Sequence, residues 1–120
     1  MIVMATVYSM TRVARGPLLF VAGQTPAMPD GRVPPNAGPQ TRVVLDKIEA
    51  LLAEHGAGWP EVVKLTYYLR DLADLGTVRA ALLERLPEPR PTATLVEISG
   101  LIDPQFLVEI DAVADLGAVS

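Results

Sequence analysis

The chain has no cysteine, so a disulfide, a thiol nucleophile and a zinc–thiolate site are all excluded. It has one histidine, His55, which leaves a metal only carboxylate ligands, and these are dispersed along the chain. No metal site and no cofactor is expected. Cations are few: 10 Lys and Arg stand against 14 Asp and Glu, for a formal charge of −4. No basic run is present and aromatics make up only 5% of residues, so nucleic acid is not an expected partner. No apolar run approaches the length of a membrane span. Met1–Ala5 lacks the basic start and long apolar stretch of a secretory leader, and a cytoplasmic protein is the expectation. Glycine-rich phosphate loops and nucleophile elbows are also missing.

What remains is a short chain rich in aliphatic residues. Its 120 residues suit one domain, residues 1–120, and half of them are hydrophobic. That share exceeds what a small core needs and points to apolar surface used in subunit contacts.

The pattern along the chain alternates between periods. Ile2–Arg15 mixes apolar and hydroxyl residues and reads as a first strand, closed by the Gly16-Pro17 turn signal. Leu18–Val21 reads as a buried strand ending at Gly23. Pro26–Pro39 carries five prolines and reads as a loop with a tight turn at Asp30-Gly31. Val44, Ile48, Leu51 and Leu52 share a helical face, which predicts a helix from about Pro39 to His55 that stops at Gly56. Val63, Leu65, Tyr67 and Leu69 alternate with polar residues as a strand does. Leu75, Val78, Leu82 and Leu86 predict a second helix, ended by Pro87. Thr92–Ile98 and Phe106–Ala114 complete the strands. This order fits an α+β domain: a sheet with both helices on one face, and self-association covering the other.

The residue that stands out is Glu109, between Val108 and Ile110 in the last strand. A lone carboxylate in an aliphatic frame is costly to bury. It is either a structural anion paired across a subunit contact, or a group whose burial raises its pKa and suits it to proton transfer. Asp111 lies two residues on, on the same strand face. His55, just before Gly56, suits a helix terminus better than catalysis, and Trp59-Pro60 suits packing.

Several segments resemble the RidA family, also called YjgF/YER057c/UK114. Phe20-Val-Ala-Gly-Gln-Thr-Pro26 is similar to its FVSGQxP segment, and Gln40-Thr-Arg42 to its QTR helix start. Glu61–Thr66, Asp71–Leu75 and Leu107–Ala114 follow in the family's order, so the likeness covers nearly the whole chain. It implies a chorismate-mutase-like fold, a homotrimer of barrel-like form, and ligand clefts between subunits. The best-known activity in the family is hydrolysis of reactive enamines and imines to ketoacids and ammonia.

Carried over by position, the resemblance makes Glu109 the glutamate that handles water, and therefore the catalytic candidate. Ala22 and Gly23 match the family's Ser-Gly pair. Tyr8 lies near the cleft tyrosine, with one residue more between it and Gln24 than the pattern has. Leu95 takes a cleft-lining position before Val96-Glu97-Ile98. The substrate-binding arginine of the family, a two-pronged carboxylate ligand, falls at Ala93. Arg90 is offset from that position by an odd number of residues. Arg79 occupies a helix position where the family often has asparagine near the cleft.

Three readings follow. One is a hydrolase or tautomerase acting on an imine, enamine or related C–N compound other than a simple 2-iminocarboxylate. The second is a trimer that binds a small molecule without turnover. The third is a chaperone-like trimer using its apolar surface. Endoribonuclease labels are attached to the family, but this acidic chain offers RNA no cationic path.

Overall fold

The structure is a computed structural model and describes residues 7–118. Strand β1 (Leu18–Gln24) leads through the proline-rich loop to helix α1 (Ala37–Ala53). Strand β2 (Val62–Leu69), helix α2 (Leu75–Leu83), strand β3 (Thr92–Glu97) and strand β4 (Val108–Asp115) follow, with single 3₁₀ turns at Trp59–Glu61, Leu72–Asp74 and Leu116–Ala118. One mixed sheet has the order β1-β4-β2-β3. The β1–β4 and β2–β4 pairs are antiparallel, and β2–β3 is parallel across the α2 crossover.

The helix periodicity is realised with shifted ends. Helix α1 begins at Ala37, two residues before the expected Pro39, because a proline in the first turn gives up a backbone N–H that would have no helical partner there. Helix α2 stops at Leu83 rather than running to Leu86, although Leu86 is still buried in the turn that follows. The expected first strand is not formed over residues 7–15, and its beginning, residues 2–6, lies outside the described residues. Instead, the segment after Val7 runs beside the turn before β3: Ser9 N–H donates to the Pro91 carbonyl at 2.9 Å, and Arg12 donates to the carbonyls of Pro89 and Arg90.

One face of the sheet is covered by both helices. Val21, Leu65, Tyr67, Leu69, Val108, Ile110, Ala112 and Ala114 pack there against Val44, Leu45, Ile48 and Leu52 of α1 and Val78 and Leu82 of α2. The helices themselves approach closely, since a Cβ at Gly38 would stand 3.2 Å from the Thr77 methyl. The other face carries no helix among the described residues, and Leu18, Phe20 and Val96 are exposed on it. Trp59 packs into the core as expected and donates its indole N–H to Glu49 at 2.7 Å.

Candidate functional site

Strand alternation decides where each candidate points. Directly paired residues share a face. Glu109 pairs with Tyr68, so both lie on the open face, whereas Tyr67 pairs with Ile110 and is buried on the helix face. Asp111 joins the open-face group and accepts a hydrogen bond from the Tyr68 hydroxyl at 3.1 Å. This bond and the Asp111 charge raise the Tyr68 phenol above its ordinary pKa, with smaller contributions from burial and the Glu109 charge. Glu109 is half-buried.

Gly23 meets Glu109 across the sheet. The β1–β4 register shifts between Val21 and Gln24, placing Ala22 and Gly23 in an irregularity of the edge strand. A Cβ at Gly23 would overlap Glu109 Oε2, and the rest of the carboxyl group stands just behind. The carboxylate is therefore seated on bare backbone, and only glycine allows that approach. Ala22 is exposed beside it, its carbonyl accepting from the Gln24 amide at 2.9 Å.

The remaining candidates gather elsewhere. Ala93 and Leu95 pair with Leu65 and Tyr67, so they belong to the helix face, where both pack against the core. Arg79 comes from α2 to the Tyr67 phenol. Burial raises the Tyr67 pKa, while the Arg79 cation and its hydrogen bonding oppose the rise and Tyr8 adds to it. Tyr8, Tyr67 and Arg79 thus form one neighbourhood, and Gly23 with Glu109 forms another across the sheet. Patterns in the sequence single out neither Tyr68–Asp111, which the β2–β4 register brings together, nor Tyr67–Arg79, which depends on how α2 packs on the sheet. Among the described residues no cluster of His, Asp and Glu is arranged to hold a metal ion, and no helix is long and apolar enough to cross a membrane.

A mixed four-stranded sheet with two helices and a strand-borne carboxylate seated on glycine defines an α+β domain of the YjgF type. Residues 2–116 match the family model described as Endoribonuclease L-PSP. A RutC family protein of Pyrococcus abyssi is 38% identical over 101 residues, covering 82% of this chain and 79% of that protein. The 3-aminoacrylate deaminase RutC of Acinetobacter baylyi is 37% identical over 79 residues, covering 66% of this chain and 62% of that protein. The solved structure of the YjgF gene product of Escherichia coli superposes with a TM-score of 0.75 at 26% identity, over 93% of this chain and 98% of that one. The chain belongs to this RidA/YjgF/YER057c/UK114 family, which includes the RutC proteins.

Proposed function

We propose that the protein takes a small imine, enamine or related C–N compound into clefts between subunits of a homotrimer and hydrolyses it with Glu109. The observation that carries this reading is the half-buried Glu109 carboxylate seated on the bare backbone of Gly23. The carboxylate takes a proton from water as the oxygen bonds to the C=N carbon. Glu109 returns that proton to the nitrogen, and the new hydroxyl gives up its proton to the nitrogen as the C=O bond forms and the C–N bond breaks, releasing ammonia and a carbonyl compound. Backbone amides near Gly23 are suited to hold a polar group of the substrate. A relative named as a 3-aminoacrylate deaminase supports this class of chemistry.

Ala93 stands where the family pattern places its carboxylate-binding arginine, so a standard 2-iminoacid deaminase is not the reading. The subunit cleft is supported by the division of the candidates: Glu109 and Gly23 lie on the open face, and Ala93 and Leu95 on the helix face. A cleft using both sets needs a second copy of the chain.

The test is ammonia release from imines generated in situ by an amino-acid oxidase, measured on the native chain, Glu109→Gln and Ala93→Arg. Native turnover should fall by about 100-fold in Glu109→Gln, and Ala93→Arg should favour 2-iminocarboxylates. Native turnover that survives Glu109→Gln would sink the assignment. The absence of the family's arginine position cation also favours a second reading, a binding trimer without turnover, which predicts saturable ligand binding and no ammonia from any imine tried.

A further inference from the structure

On the open face of the sheet, Tyr68 of β2 stands directly opposite Glu109 of β4. Side chains paired in this way have Cβ atoms about 5 Å apart. Asp111 lies two residues further along β4, on the same face and about 7 Å from Glu109 along the strand. The Tyr68 hydroxyl donates to Asp111 Oδ2 at 3.1 Å, a diagonal bond from β2 to β4. Glu109 therefore has Gly23 beside it on the β1 side, under its carboxylate, and Tyr68 beside it on the β2 side.

By itself a tyrosine–aspartate pair across a sheet is an ordinary cross-strand contact. Two observations give this one a direction. Asp111 makes no ion pair with any described residue, and Lys64, the cation on this face of β2, donates instead to Thr66 Oγ1 at 2.9 Å. The Asp111 carboxylate is thus spent on Tyr68. The phenol's one hydrogen is committed in turn, and the bond that commits it also raises the phenol pKa, so the proton stays on the oxygen at neutral pH. A hydroxyl has one hydrogen and two lone pairs. With the hydrogen held by Asp111, Tyr68 Oη offers its surroundings lone pairs only.

We propose that Tyr68 is a second acceptor for the attacking water, beside Glu109, and that Asp111 is the positioning residue that keeps it an acceptor. This rests on the reading that Glu109 hydrolyses a C–N compound. A water that gives one hydrogen to the Glu109 carboxylate and the other to Tyr68 Oη has both hydrogens engaged, which leaves an oxygen lone pair for the C=N carbon. The proton that moves goes to Glu109. Tyr68 accepts only a hydrogen bond and keeps its own proton throughout, so no charge develops on it. Without Asp111 the phenol hydrogen is free to turn toward Glu109 and compete with the water for the carboxylate.

The experiment is steady-state ammonia release from the imine, among those generated in situ, that the native chain hydrolyses fastest. Tyr68→Phe should lower kcat about ten-fold, the loss of one hydrogen bond, with KM nearly unchanged. Asp111→Ala should lower kcat by a similar factor. Asp111→Asn, whose amide oxygen still accepts from the phenol, should recover most of the native kcat. Because Asp111 acts through Tyr68, the double variant Tyr68→Phe/Asp111→Ala should lose no more than Tyr68→Phe alone; losses that multiply to about 100-fold would overturn the pairing. Variants that melt lower but keep the native kcat would make the pair a structural contact and overturn the proposal. If Tyr68→Phe fails to fold, Asp111→Ala against Asp111→Asn decides the same point. A native chain that releases no ammonia from any imine ends the hydrolase reading and this assignment with it. Turnover that falls in Glu109→Gln but not in Tyr68→Phe leaves that reading standing and overturns the assignment alone.

Discussion

Asp115 accepts three backbone N–H groups at once: Arg15 at 2.9 Å, and Gly16 and Gly117 at 3.0 Å. Its carboxylate is tucked into the corner where the N-terminal segment enters β1 and the chain leaves β4. A Cβ at Gly117 would collide with the Gly16 carbonyl, and Gly16 itself has φ +78°, so glycine is required on both sides of the carboxylate. The hydrogen bond from Arg15 is the largest of the influences that lower the Asp115 pKa. A carboxyl whose folded pKa lies below its unfolded value stabilises the fold fully above the unfolded value, near 3.9. That contribution is lost as pH falls through the folded pKa. Asp115→Asn should therefore melt about 5 °C below the native chain at neutral pH, and the gap should narrow below about pH 4. Thermal melts at pH 7 and pH 3 check this; a gap of equal size at both would show that the charge is not what matters. In sequence, Asp115 is only the last acidic residue of a strand, because its three partners lie up to a hundred positions away. Glu109 stands out in the sequence for the opposite reason, its apolar neighbours, yet Val108 and Ile110 turn to the helix face and leave it half-buried on the open one.

At the scale of elements, helix periodicity and strand alternation locate both helices and four strands, because each pattern repeats within a few residues. The first expected strand failed over residues 7–15 because its mixed apolar and hydroxyl pattern carries no strict period. The contacts that hold this segment, from Ser9 and Arg12 to the 89–91 turn, are long-range. Gln40 shows the same limit inside a correctly read helix. It is fully buried, donates to the Pro34 and Gln105 carbonyls, and accepts from Leu107 N–H, each at 2.8 Å. One amide thus ties the proline-rich loop to the segment that enters β4, directly behind the Glu109 strand. Gln40→Leu keeps the volume but leaves three backbone groups unpaired. It should cost about 2–4 kcal/mol in urea unfolding at unchanged m-value. A loss under about 0.5 kcal/mol would mean that water replaces the amide.

The whole molecule has an imbalance that its two helices do not correct. They cover one face of the sheet, while the other presents Phe20 at 73% exposure beside Leu18 on edge strand β1, Val96 on the opposite edge strand β3, and the Tyr68–Asp111–Glu109 group on the two strands between. Large apolar side chains left exposed on a sheet face mark a contact surface. In the proposed trimer, one contact would both cover this face and complete the cleft. Phe20 is the sensitive position. It pairs with Val113 on the open face and is 73% exposed, so a change there tests association with little cost to the fold of one subunit. Phe20→Lys places a charge where association would strip its water, a penalty that an unpaired ammonium cannot recover. Sedimentation equilibrium of the native chain at micromolar concentration should give a trimer, and Phe20→Lys should give a monomer with native-like circular dichroism and little or no turnover. A native chain that sediments as a monomer, or a lysine variant that remains trimeric, would remove the open face from the assembly and with it the shared cleft.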